Sequence, residues 1–184
     1  MNHHIPIETE VKLRIPSTQE IAPRLMALGF QPEIPAQAEH SVLWDRGTEL
    51  LSHGCALRLR SYAGGSWITW KGPKVQDALL KIRPEIETSV SSLEAMEGIL
   101  RALGYVPVLA MEKTRALLRR EDLVACLDET PFGCYLELEG EPSAIHRAME
   151  GLGLGPELAE QRSYPTLFQE HGLASRQLAS SAGD

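Results

Sequence analysis

Charged and apolar residues alternate in four well-separated stretches of this chain. In Ile7–Leu13, Glu8, Glu10 and Lys12 share one side of an extended backbone, while Ile7, Thr9, Val11 and Leu13 share the other. Arg58 and Arg60 alternate with Leu57 and Leu59. Arg83, Glu85 and Glu87 alternate with Ile82 and Ile86, and Glu137 and Glu139 with Leu136 and Leu138. A single strand of this kind is usually the wet edge of a sheet. A charged face that recurs along the whole chain calls for a common surface.

The intervening pattern predicts the other elements. Ser17 stands three residues before Glu20, a capping-box spacing, and Ile21, Leu25 and Leu28 follow at helical intervals until Gly29, with Pro23 in the early turns. Strands are expected at Val42–Trp44, Ala56–Ser61 and Ser66–Lys71, with a turn at Asp45-Arg46-Gly47 and a break at Gly72-Pro73. Lys74–Leu80 reads as a mobile loop. A strand over Lys81–Val90 leads to a second helix, with Ser91 and Glu94 as its capping pair and Leu93, Met96, Leu100 and Leu103 on its buried face, ending at Gly104. Strands at Met111–Arg119, Leu123–Asp128 and Cys134–Glu139, a helix at Ile145–Leu152 and a short helix at Pro165–His171 complete the series.

The sequence also repeats. Leu25-Met26-Ala27-Leu28-Gly29-Phe30-Gln31-Pro32 matches Leu100-Arg101-Ala102-Leu103-Gly104-Tyr105-Val106-Pro107, and each copy follows a strand holding Glu-x-Glu. A weaker third copy runs from Glu137 to Gly153. Their uneven spacing predicts three strand-to-helix units inside one fold rather than a solenoid. Residues 1–172 are expected to form one domain, with 173–184 a disordered tail.

Composition narrows the function. A net charge of −7 and a pI near 5.4 argue against a general nucleic-acid or membrane-surface binder, so any basic site is local. The three cysteines, Cys55, Cys126 and Cys134, form no Cys-x-x-Cys pair, and the six histidines show no ligand spacing. With no apolar leader and no stretch of membrane-spanning length, the expectation is a soluble cytoplasmic protein.

Lys12, Arg58, Arg60, Lys71, Arg83, Lys113 and Arg115 are then basic residues on charged faces, and Glu8, Glu10, Glu85, Glu87, Asp128, Glu137 and Glu139 their acidic counterparts. The apolar faces are sufficient for packing against three helices. A closed antiparallel barrel, polar inside and covered by helices outside, accounts for both. Near-equal numbers of the two signs allow buried charges to be paired. Such an interior matches a polyphosphate with divalent metal: guanidinium forks and ammonium groups for phosphate oxygens, carboxylates as hard oxygen ligands for Mg2+ or Mn2+.

These residues carry a resemblance. Glu8-Thr9-Glu10-Val11-Lys12 resembles the Glu-x-Glu-x-Lys signature of the CYTH superfamily, the triphosphate tunnel metalloenzymes. Further blocks follow in the family's order: Ala56-Leu57-Arg58-Leu59-Arg60, Thr69-Trp70-Lys71-Gly72-Pro73, Arg83-Pro84-Glu85-Ile86-Glu87, Glu112-Lys113-Thr114-Arg115, Leu127-Asp128, Glu137-Leu138-Glu139 and Ser163-Tyr164. The resemblance implies an α+β fold with an eight-stranded tunnel. It implies divalent metal on Glu8, Glu10, Glu137 and Glu139 with Asp128 and Glu87 helping, and triphosphate held by Lys12, Arg58, Arg60, Lys71, Arg83, Lys113 and Arg115. Catalytic roles fall to Glu10, Lys12 and Glu139.

The family includes class IV adenylate cyclases, thiamine triphosphatases and inorganic triphosphatases. The Val42-Leu43-Trp44-Asp45 segment and Lys71-Gly72-Pro73 look like the cyclase arrangement, so conversion of ATP to cyclic AMP and pyrophosphate is the first expectation. Hydrolysis of inorganic or thiamine triphosphate is the alternative, and capture of a polyphosphate without turnover a third. Trp44, Trp67, Trp70, Tyr62 or Lys74 would then contact the non-phosphate end, although packing is the ordinary role of such tryptophans. No nucleic acid or membrane partner is expected, and a homodimer is compatible with this reading.

Overall fold

The computed structural model describes residues 5–75 and 77–173. The strands are β1 (Ile7–Ile15), β2 (Gln31–Asp45), β3 (Ala56–Tyr62), β4 (Gly65–Lys71), β5 (Lys81–Ser89), β6 (Val106–Arg120), β7 (Leu123–Thr130) and β8 (Gly133–Glu139). The helices are α1 (Thr18–Ala27), α2 (Glu49–Ser52), α3 (Leu93–Ala102), α4 (Pro142–Leu152) and α5 (Tyr164–Glu170), with a 3-10 turn at Pro156–Leu158. The strands close in the order β1-β5-β4-β3-β2-β6-β7-β8, and all neighbours are antiparallel. This is the expected α+β barrel.

Its outer wall is apolar because alternation sends Val11, Leu13, Leu136 and Leu138 outwards. They pack against Ile21 and Leu25 of α1 and Ile145 and Leu152 of α4 in one dry cluster. A second cluster joins Trp44 and Leu59 to Leu100 of α3, and a third joins Leu109 and Met111 to Phe168 of α5. The repeat seen in the sequence is a repeated helix ending. Gly29 and Gly104 adopt left-handed φ values of 89° and 84°, and the next residues, Phe30 and Tyr105, donate back to the carbonyls of Leu25 and Leu100 at 3.1 and 2.9 Å. Such an ending needs glycine at the turn and favours an apolar residue after it.

Several expectations are corrected. β2 and β6 are each 15 residues long and start well before Ser41 and Met111. Pro32, Pro35 and register shifts at Pro32/Ile34 and Ile34/Gln37 hide the period of two in β2. That first half pairs with β6, whereas pairing with β3 begins only at Glu39, so the prolines stand where a missing donor costs little. The capping residue of α3 is Ser92, which accepts from the Ala95 amide at 3.1 Å, rather than Ser91. No pattern in the sequence predicts α2. The described residues of Lys74–Leu80 are anchored: Val75 donates to the Ile82 carbonyl, Asp77 accepts from the Leu79 and Leu80 amides, and Leu80 joins the core. Among the described residues no helix is long and apolar enough to cross a membrane. Of the expected tail, 174–184 lies outside the described residues.

Candidate active site

The barrel register decides which charges meet. β1 stands between β5 and β8, with Glu8 opposite Arg83 and Glu10 opposite Lys81 on one flank, and Glu10 opposite Glu139 and Lys12 opposite Glu137 on the other. Every residue expected to bind substrate or metal, Asp128 excepted, lines a single cavity of about 520 Å3. Glu39, Lys74, Lys81 and Glu85 line it as well.

One wall is a network of paired charges. Asp128 is fully buried and accepts from Arg115 through both oxygens at 2.6 Å, from Lys113 at 2.9 Å and from the Tyr164 hydroxyl at 2.6 Å. The four bonds to Asp128, three on Oδ2 and one on Oδ1, lock Arg115 and Lys113 in place. Glu137 also accepts from Arg115, and although burial opposes its charge, Arg115 and Lys113 hold its carboxyl well below the usual range. Glu87 accepts from Thr69 at 2.6 Å and Arg60 at 3.1 Å, which puts it on the arginine side of the cavity rather than with the acidic corner.

Glu39 is an acidic residue that the sequence pattern does not reveal. It is buried within 3.5–3.7 Å of Arg60, Lys113 and Arg115, and despite burial Lys113 and Arg115 keep it ionised. Its one signal is parity with Ser41 and Leu43, which shows only once β2 is known to begin before Ser41. Two cationic donors remain without partners among the described residues, the buried Nε groups of Arg58 and Arg60. Buried orphan donors of this kind are rare and mark a place for an acceptor.

Glu8, Glu10 and Glu139 form an opposing acidic corner. Burial, then the charges of Glu8 and Glu10, raise the Glu139 carboxyl to about 7. Burial and a hydrogen bond with Glu85 raise that of Glu8. Lys71 and Arg83 lie 3.2 and 3.4 Å from Glu8 and Lys81 lies 3.6 Å from Glu10, and a divalent cation among these hard oxygen ligands would add further counter-charge beside Glu8 and Glu139. Among the described residues no three of them yet converge into a ready coordination shell.

Lys12 lies between the two regions and is 1% exposed. Burial, then neighbouring Lys81, lowers its amine to about 7. Its Nζ donates to the Arg162 carbonyl at 2.6 Å and sits 4.1 Å from the centre of the Tyr164 ring, the same distance as the Lys113 Nζ. One aromatic ring thus serves two ammonium groups and a carboxylate. Tyr164→Phe keeps the ring and loses the bond to Asp128, with an expected stability loss of about 1–3 kcal/mol in urea unfolding. Tyr164→Leu, which also removes both cation–π contacts, should lose more.

Of the aromatic candidates for the non-phosphate end, Trp44 packs under α3 and also borders the cavity, Trp67 lies over the Arg60 guanidinium, and the Tyr62 hydroxyl donates to the Arg115 carbonyl. Burial pushes the Cys126 thiol up to about 12, consistent with a space-filling role.

A family model described as CYTH domain matches residues 6–164. The chain belongs to the CYTH family. This CYTH chain is 32% identical over 142 residues to "Putative adenylate cyclase MJ0240" of Methanocaldococcus jannaschii, an alignment covering 76% of this chain and 80% of that one. The solved structure of PH1819 from Pyrococcus horikoshii OT3 superposes with a TM-score of 0.70 at 27% identity, covering 89% and 99% of the two chains. A Hippeastrum protein, HpAC1, described in the words "Putative adenylyl cyclase HpAC1 from Hippeastrum reveals a dominant triphophatase activity", shares the fold. Its TM-score is 0.69 at 21% identity, over 89% and 96% of the chains.

Proposed function

We propose that the chain is a divalent-metal-dependent enzyme that acts on a triphosphate inside the barrel, with conversion of ATP to cyclic AMP and pyrophosphate as its reaction. The observation that carries this reading is the pair of unpartnered, buried Nε groups on Arg58 and Arg60, two side chains lining the cavity that also holds the Glu8, Glu10 and Glu139 corner. Arg58, Arg60, Lys71, Lys81, Arg83, Lys113 and Arg115 would grip phosphate oxygens, with Arg115 and Lys113 held in position by Asp128. Magnesium or manganese bound to Glu8, Glu10 and Glu139 would act as a Lewis acid on the phosphoryl oxygens. Lys12, whose amine lies near neutrality, is suited to exchange a proton at Nζ during attack. For cyclisation the ribose 3'-hydroxyl attacks the α-phosphate and pyrophosphate departs.

The relative from M. jannaschii supports the cyclase reading through its name. Hydrolysis is the second reading, favoured by the dominant triphosphatase activity ascribed to the Hippeastrum protein. The same cations serve both, and the nucleophile differs: a water oriented by Glu10 or Glu139 in place of the ribose hydroxyl. Incubation with ATP, thiamine triphosphate and inorganic triphosphate, each with Mg2+ or Mn2+, separates them by product. Cyclic AMP with pyrophosphate is the expected result. Orthophosphate alone makes the chain a triphosphatase, and no product from any substrate rejects catalysis in favour of capture.

A further inference from the structure

Among the charges that line the cavity, Glu39 stands apart because it meets the cations of one wall without bonding to them. Arg60 Nη1 and Arg115 Nε lie 3.5 and 3.7 Å from its Oε2, and Lys113 Nζ lies 3.6 Å from its Oε1. We propose that Glu39 is a resident anion that limits the affinity of these cations for phosphate, so that the anionic product is released rather than held. The proposal rests on the triphosphate reading of the same cavity.

Three observations carry it. First, the two carboxylates that face Lys113 and Arg115 act differently. Asp128 accepts from them at 2.9 and 2.6 Å and so fixes them, whereas Glu39 stands beyond hydrogen-bond reach of both. Glu39 offsets their charge and takes none of their donors. Second, among the described residues the buried Glu39 Oε2 accepts no hydrogen bond, just as the buried Nε groups of Arg58 and Arg60 donate none. A phosphate oxygen satisfies such donors, but it is itself negative and accepts only, so it meets repulsion from Oε2. Third, Glu39 is held in place. It is the first residue of β2 to pair on both sides, opposite Tyr62 of β3 and Lys113 of β6. Its Oε1 accepts from the Ser41 hydroxyl at 3.3 Å, and the residue is only 2% exposed. A carboxylate so enclosed stays beside the cations when a ligand arrives. Without it, Arg58, Arg60, Lys113 and Arg115 would bind substrate and product phosphates alike, and binding shared equally by the two adds nothing to turnover once the site is filled. Glu39 touches no reacting atom and acts through Arg60, Lys113 and Arg115, as a positioning residue.

Isothermal titration of the full chain with inorganic triphosphate and with pyrophosphate, in EDTA and again with calcium, tests this. Glu39→Gln keeps the volume and loses the charge, and it should bind both anions at least about tenfold more tightly than wild type. With Mg2+ or Mn2+ and the triphosphate that is turned over, KM should fall, kcat should not rise, and the inhibition constant of pyrophosphate should drop by a similar factor. A residue that merely props up the cations would give the opposite sign, since its loss weakens binding. Affinity of Glu39→Gln equal to or below that of wild type therefore overturns the proposal, as does an unchanged inhibition constant. Urea unfolding checks that this variant is folded. If its transition is lost, Glu39→Asp carries the test: the shorter side chain draws the charge back from Arg60 and Arg115 and should tighten both anions by roughly two- to fivefold. Unchanged or weaker binding there overturns the proposal equally. Failure of wild type to bind either anion under either condition instead rejects the triphosphate reading beneath it.

Discussion

Glu139→Gln should reduce metal-dependent turnover by about a hundredfold or more, as should Glu10→Gln, because each removes a charge from the acidic corner while keeping its volume. The same Glu139 substitution should leave the metal-free protein at least as stable as wild type, and this opposite sign distinguishes a functional carboxylate from a structural one. In the folded chain the Glu139 carboxyl is raised from 4.5 to about 7, by burial first and then by Glu8 and Glu10. A folded-state value above the unfolded one means that ionisation opposes folding. The penalty is absent below pH 4.5, develops as pH rises, and is complete above about 7. Denaturation in EDTA at several pH values should therefore show the variant gaining on wild type across that window. Undiminished turnover in both variants would reject the metal assignment.

Asp128→Ala should cost about 3–5 kcal/mol of stability, since it strands Arg115 and Lys113 in the interior without their principal partner. Arg115 is now held protonated because, although burial opposes its charge, Asp128 more than offsets that effect. Urea unfolding gives the loss directly. Inorganic triphosphate should restore part of it, by binding the folded variant and supplying negative charge to the same cations. A variant as stable as wild type would mean that the network at Asp128 contributes nothing net. A loss that triphosphate leaves untouched would mean that Arg115 and Lys113 do not reach the ligand.

What the sequence made legible depended on regular alternation. Glu8, Glu10 and Lys12 on β1, and Arg58 and Arg60 on β3, could be assigned to one face because nothing interrupts the period of two around them. Glu39 was hidden because Pro32, Pro35 and two register shifts precede it in β2. Lys81 was seen in its strand, yet its meeting with Glu10 at 3.6 Å depends on the register of β1 against β5, which no local pattern encodes. α2 has four residues, fewer than a helical period needs to declare itself, and begins after a left-handed Thr48. Tyr164 belonged to a recognised block, but its work is done on Lys12, Lys113 and Asp128, which three different strands bring to it. The engagement of Asp128 by Arg115, Lys113 and Tyr164 was hidden for a related reason: a list of inward carboxylates does not show which cations each of them meets.

The closure of the barrel also governs when the site comes into being. Lys12 meets its cross-strand neighbour Glu137 only after 125 further residues of chain, and β1 waits beside β5 until β8 arrives to complete the ring. Pairings so distant in sequence are slow to form. Until that final strand docks, β1 and β7 each present an open edge, the arrangement that invites pairing with other chains. A nascent chain released before β8 would thus carry most of the cations and no tunnel, with its sticky edges uncovered. A ligand present during refolding can capture only molecules that have finished, so its effect should fall on unfolding rather than on the speed of closure.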